Sequence, residues 1–211
     1  MDVATIITNI KSQSLTGNTG APDDDAKILR YVNNGYIRII SRAIQLYPGF
    51  FRKFIDVTVT DGVAIWPYSL LKILSVADTG NNNARLTAKS LDEIQETDFG
   101  LTAVGNPAYY EEIMNGLVTY PRNSTTLNVG CVLMPPLLTA DTQEIDIQIP
   151  VPYHECIQWV AQKMMAFDER DKVTGLEIQF TDAEFDELIS GYLMFLWNKL
   201  PAEKRRVKAA L

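Results

Sequence analysis

His154 is the only histidine in 211 residues, and it stands beside Glu155 at the start of a helical run. One imidazole cannot build a histidine-rich metal site, and no serine or cysteine stands at a spacing that would make it a general base. The residue reads as a structural or surface group without a catalytic role. Cys131 and Cys156 lack CxxC or any other metal-ligand spacing. Cysteine is among the most deeply buried residue types, so both read as reduced core thiols.

Carboxylates offer other chemistry. Asp23-Asp24-Asp25 could hold Ca²⁺, but it lacks the alternating ligands and downstream bidentate Glu of an EF-hand loop, and it precedes a helical run whose N-terminus favours negative charge. Capping is the better reading. Glu111/Glu112 and Glu93/Glu96 are pairs that a glycosidase would need to face across a cleft, and nothing in the spacing makes them converge. Gly100, Gly105 and Gly116 form neither GxGxxG nor a Walker motif and read as turn residues. No cofactor and no metal is expected. The aromatics Trp66, Tyr68, Tyr109 and Tyr110 could meet a partner surface; in a strand the last two point to opposite faces, one inward and one outward.

The elements that carry these residues change period twice. Asp2 caps a first helix bearing Val3, Ile6, Ile7 and Ile10, which the polar Ser14–Pro22 stretch breaks. A second, long helix carries Leu29, Val32, Tyr36, Ile39 or Ile40, Ala43 and Tyr47 and stops before Pro48-Gly49. Alternation then takes over: Ile55, Val57 and Val59 lead through a tight Asp61-Gly62 turn into Val63, Ile65 and Trp66, and the two runs are expected to pair as a first hairpin. Leu70–Val76 is a strand, Gly80–Asn83 a loop tip, and Ser90 with Glu93 has capping-box spacing for a helix over 91–98. Ala108–Met114 pairs with Leu117–Tyr120 across Asn115-Gly116, which suits the two left-handed positions of a type I′ turn. Thr126–Leu133 and Asp146–Ile149 complete the extended segments.

Helical spacing returns after Pro152 with Cys156, Ile157, Val160, Ala161, Met164 and Met165. Thr181 and Glu184 have capping-box spacing before a last helix with Phe185, Leu188, Ile189, Tyr192, Leu193, Leu196 and Trp197. The expected fold is α+β. Residues 1–50 and 151–200 form a helical bundle, 51–150 an inserted antiparallel strand-rich region, and 201–211 an extended C-terminal arm.

A net charge of −7 argues against general binding to nucleic acid, which is gripped with clustered Lys and Arg. No apolar run approaches the roughly 18 residues that span a bilayer, and the N-terminus lacks signal-peptide features, so synthesis in the cytoplasm is expected. The arm opposes the charge of the rest. Lys204, Arg205, Arg206 and Lys208 make it basic, which suits a solvated tail without a role as well as a tail that docks on a negative surface, where Val207 and Leu211 would be its apolar anchors.

The order Phe99-Gly100, Gly105-Asn106-Pro107-Ala108-Tyr109-Tyr110, Tyr120-Pro121, Leu133-Met134-Pro135-Pro136 and Ile149-Pro150-Val151-Pro152-Tyr153 resembles the head-to-tail adaptors of tailed bacteriophages, the connector or tail tubular protein A-like family, over residues 23–200. The resemblance implies a structural virion protein and no reaction. Twelve copies would form a ring beneath the portal and support the tail nozzle or tube, with DNA crossing the central channel unbound. The helices would form the ring body. The arm, Pro201 to Leu211, would reach the portal, and the strand-rich region would touch neighbours or the next ring. Such a protein is made in the host bacterial cytoplasm and ends in the virion neck, away from any membrane.

Three rivals share parts of this pattern. Another tail- or neck-completion protein would show the same acidity and strands. A small hydrolase would need two converging acids in a cleft, and a regulatory module would use the basic tail on nucleic acid.

Overall fold

The structure, a computed structural model, describes residues 1–15, 24–96, 98, 100–174 and 182–201. In chain order the elements are α1 (Val3–Leu15), α2 (Asp25–Leu46), β1 (Arg52–Val59), β2 (Val63–Ile65), β3 (Leu70–Asp78), β4 (Ala84–Arg85), β5 (Thr87–Ala88), α3 (Leu91–Gln95), β6 (Tyr109–Ile113), β7 (Gly116–Tyr120), β8 (Thr125–Leu133), α4 (His154–Thr174) and α5 (Asp182–Lys199). Helices and mainly antiparallel sheets make an α+β fold. The chain divides into two compact units, Met1–Tyr47 with Pro135–Leu211, and Pro48–Met134.

In the helical unit α4 packs against α1, α2 and α5. Asp2 caps α1, its Oδ1 accepting from the Thr5 amide at 2.7 Å, and Val3, Ile6, Ile7 and Ile10 are all buried. Asp24 caps α2 by accepting from Ala26 N at 2.9 Å; Asp23 lies outside the described residues. The α2 stripe is Ile28, Val32, Tyr36, Ile39, Ile40, Ala43 and Ile44, so Ile28 takes the fully buried place expected of Leu29, which is half-buried. Gly35 sits within this stripe, where an added Cβ would come within 3.2 Å of Val160 Cγ1, and the missing side chain lets α2 and α4 approach closely. Phe185, Ile189, Tyr192 and Leu196 form the buried face of α5, while Thr181, its expected cap, lies outside the described residues.

Two side chains of α2 hold the segment that leads back from the strands. Asn33 donates from Nδ2 to Leu138 O at 2.9 Å and accepts at Oδ1 from Leu138 N at 2.7 Å, satisfying both backbone groups of one residue. Tyr36 Oη accepts from Gln148 N at 3.3 Å. The extended piece expected at 146–149 therefore joins no sheet. A 3-10 turn, Glu144–Asp146, precedes it, and Ile147 and Ile149 bury their side chains with the helical unit.

The strand-rich unit has two four-stranded sheets, ordered β1-β8-β3-β4 and β2-β7-β6-β5. Their inner faces share one core of Val57, Val59, Ala64, Val76, Leu86, Leu117, Leu127, Val129 and Cys131. The Asp61-Gly62 turn forms as expected, with both residues at positive φ (49° and 77°) and Thr60 and Val63 exchanging backbone hydrogen bonds of 2.8 and 3.0 Å. The pairing stops there. β1 continues along β8 and β2 along β7, so the turn transfers the chain between sheets. Ala64 takes the buried position, and Val63 and Ile65 face solvent, opposite to the expected alternation.

The β6–β7 hairpin is present, with a different turn. Ile113 pairs with Gly116, which leaves Met114 and Asn115 at its centre, and neither has positive φ. Gly116 begins β7 instead of serving the turn. A Cβ there would fall 1.9 Å from the Ala64 carbonyl oxygen, so glycine is required for β2 to approach β7. Ser90 caps α3 by accepting from Asp92 N at 3.2 Å, and α3 ends at Gln95, earlier than expected.

Since the clash at Gly116 is with backbone, Gly116→Ala should cost the strand-rich unit about 3 kcal/mol or more. Chemical denaturation followed through Trp66, which packs against that core, should register the loss. A midpoint within error of the parent would show that β2 can move away at no cost.

Candidate interaction surface

Asp98 organises a loop that joins residues of three resemblance motifs, those at Gly100, Gly105–Tyr110 and Tyr120-Pro121. Its Oδ2 accepts from Thr102 N at 3.0 Å, from Ala103 N at 3.1 Å and from the Tyr120 hydroxyl. Leu101 N donates to Asp98 O at 3.0 Å, and Leu101 itself takes a left-handed φ of 49°. Farther along, Arg122 N donates to Ala103 O, Gly105 N to Arg122 O, and Ala108 N to Tyr120 O. Gly100, Gly105, Ala108 and the cis Tyr120-Pro121 peptide thus belong to one hydrogen-bonded loop. Phe99 lies outside the described residues. The Tyr120 hydroxyl, followed by the Ala103 amide, holds the Asp98 carboxyl below its ordinary range, and the same bond raises the Tyr120 hydroxyl.

Beside this loop, the second sheet presents an apolar outer face. Ile65, Gly116 and Ile113 stand in one cross-strand row, and Val63, Val118 and Glu111 in the next, so their side chains share a face. Ile65 is 73% exposed, Val63, Ile113 and Met114 are exposed as well, and Met114 forms the hairpin tip. A contiguous apolar face of this kind marks a surface built for contact. Sequence reasoning missed it because Val63-Ala64-Ile65 is apolar on both faces, so alternation alone gives no direction.

The predicted aromatic residues divide. Trp66 and Tyr110 pack against the unit's own core, Tyr68 is exposed, and Tyr109 lies on the outer face with Lys89 Nζ 5.3 Å from its ring centroid. Pro201 is exposed immediately after α5. Lys204, Arg205, Arg206, Val207, Lys208 and Leu211 lie outside the described residues.

The groups singled out for chemistry are dispersed. His154 is wholly buried, with Nδ1 2.8 Å from Met1 O and Nε2 2.6 Å from Ile149 O, which makes it a pin between two backbone segments. Cys131 and Cys156 are buried free thiols in different units, and burial raises both above the ordinary thiol range. Glu111 and Glu112 point to opposite faces of β6, and Glu111 Oε2 accepts from Leu91 N at 3.0 Å. Among the described residues no three His, Cys, Asp or Glu side chains are grouped to hold a metal ion, and no helix is long and apolar enough to cross a membrane.

The family model described as SU10 adaptor protein matches residues 1–202. The chain belongs to the SU10 adaptor protein family. No curated protein matches the sequence. Membership agrees with the resemblance to phage head-to-tail adaptors and makes this adaptor a phage structural protein, which is not a class of enzyme.

Because folding lowers the Asp98 carboxyl from its ordinary 3.8, its contribution is present above that value and is lost as pH falls through the lower folded-state value. In Asp98→Ala the acceptor is missing at every pH. Amide exchange at Thr102 and Ala103 should then rise by about tenfold at neutral pH, read by hydrogen exchange. Unchanged protection would mean that other contacts hold the adaptor's loop.

Proposed function

We propose that this adaptor forms a ring of twelve copies beneath the portal of a tailed phage and carries the tail nozzle or tube, with DNA crossing the channel without specific binding. Membership of the SU10 adaptor family over residues 1–202 carries this reading. The protein is made in the bacterial cytoplasm and becomes part of the virion neck. The composition fits, because a channel that lets DNA slide should not present clustered cations, and the net charge is −7.

The helical bundle of residues 1–50 and 151–200 is the ring body in this reading, and residues 51–150 are the inserted contact region. A closed ring needs two different, complementary faces on every subunit. The outer face of Val63, Ile65 and Ile113, with Met114 at the hairpin tip and Tyr109 on the same side of β6, supplies an apolar face for a neighbour or for the ring below, and the exposed Tyr68 is a further contact residue in this reading. Trp66 and Tyr110 support it from the core side. The arm, from Pro201 through Lys204, Arg205, Arg206, Val207, Lys208 and Leu211, docks on the portal, and repetition around the ring converts weak individual contacts into firm attachment.

Removing residues 201–211 should leave a folded subunit, as read by circular dichroism, and abolish attachment to portal-bearing heads, as seen by electron microscopy. Normal virions assembled from the truncated protein would refute the role of the arm. A tail-completion protein would also tolerate that truncation, but it would not be found against the portal.

Ile65→Asp combined with Ile113→Asp changes two exposed positions, so fold stability should move by less than about 1 kcal/mol. Ring formation, measured by light scattering and negative-stain imaging, should fall sharply. Full rings from the double variant would remove this face from the assembly contact.

A further inference from the structure

The start of α4 and the middle of α5 enclose an open groove of about 420 Å³. Its floor is apolar, with Tyr153, buried Cys156, Leu188 and a Trp159 side chain that remains 44% exposed. Tyr153 is fixed by ring contacts to Tyr192 and Phe195, with centroids 5.7 and 5.3 Å apart. Glu155 stands one turn before Trp159 on α4, and Glu187 one turn before Gly191 on α5, so a carboxylate rims each wall. Gly191 lies on the groove wall beside Tyr153, where a Cβ would meet the ring at an ordinary contact distance of 3.8 Å and a longer side chain would reach into the groove. Asp182, Glu184 and Asp186 of α5 pair with Arg38, Lys163 and Arg42, whereas Glu155 and Glu187 take part in none of these ion pairs.

An apolar slot between two carboxylates fits a short peptide that alternates cations with apolar anchors. The chain's own last segment has that chemistry: Lys204, Arg205, Arg206 and Lys208 with Val207 and Leu211. It also begins in the right place. α5 is one wall of the groove, and the described chain stops at Pro201, just beyond its end. Gly191 lies about 12 Å along the helix from Lys199. The seven residues 202–208 can span about 23 Å, which suffices to turn back and reach it. We propose that, before the subunit meets a partner, residues 204–211 lie in the α4–α5 groove of their own chain. Lys and Arg then pair with Glu155 and Glu187, and Val207 and Leu211 cover Trp159 and Leu188.

This goes beyond the ring reading and does not need it, because the test uses the isolated full-length chain with neither portal nor tail. A zero-length carbodiimide joins a carboxylate to an amine only where the two are in contact. Treated as a dilute monomer, the protein should yield Glu155 or Glu187 linked to Lys204 or Lys208 within one chain, identified by mass spectrometry. An equal mixture of ¹⁴N- and ¹⁵N-labelled protein separates links within a chain from links between chains. Filling the groove by Gly191→Leu should lower the yield by about tenfold while leaving both carboxylates in place. Val207→Asp with Leu211→Asp should do the same without touching either helix. Links spread evenly over other surface carboxylates, links only between differently labelled chains, or a yield indifferent to both variants would each overturn the proposal.

Discussion

The close approach of two backbones at Gly116 and Ala64 is the constraint on which the strand-rich unit depends. Without room for β2 against β7, Ala64 could not reach the core cluster it shares with Leu117 and with Val129 of the other sheet. The Asp61-Gly62 turn imposes the complementary condition, since it must deliver the chain from one sheet to the other within two residues. Thr119 N donates to Gly62 O at 2.7 Å and Gly62 N to Asn123 O at 3.0 Å, so the turn is tied to the end of β7 as well as to its own flanks. Both glycines are therefore fixed by what surrounds them, one by space and the other by a left-handed backbone. The exposed Val63–Ile65–Ile113 face follows from the same arrangement, because burying Ala64 turns its two neighbours outward.

The helical unit is held by different means. Apolar stripes bring α4 against α1, α2 and α5, while polar side chains fix the irregular segments that no helix or sheet would otherwise satisfy. Asn33 serves the backbone of Leu138 as a strand neighbour would, and His154 links the segments around Met1 and Ile149. Arg42 forms a two-point contact with Asp186 across α2 and α5, through Nε at 2.9 Å and a second bond from Nη2. That carboxylate raises Arg42 further above its ordinary range. Half-exposed pairs of this kind add little stability but fix register between helices.

Much of this was legible from residue order, for reasons that differ by element. The stripes of α1 and α2 announced themselves because a helix's own period marks its buried face, and the one-residue difference between Leu29 and Ile28 is the resolution of such a pattern. Asp61-Gly62 was legible because turn geometry is local. The partners of β1 and β2 were not, since pairing across 51 to 80 residues leaves no mark in either segment. Asn115-Gly116 misled for the same reason: a glycine required by a neighbouring strand is indistinguishable in sequence from one required by a turn. Asp98 escaped notice because its three partners, Thr102, Ala103 and Tyr120, become a site only when a loop folds over the end of β7. Family membership was legible from motif order, and the geometry explains part of it, since several of those short motifs share the Asp98 network.

The place of β8 has a consequence for biogenesis. It is the last of the described strands to leave the ribosome, yet it lies between β1 and β3 as an inner strand of its sheet. A nascent chain that ends before Thr125 holds two strands with no template between them, and their apolar inner faces must wait for translation to catch up. α4, the hub of the helices, emerges later still. Such long-range closure is slow and leaves sticky intermediates.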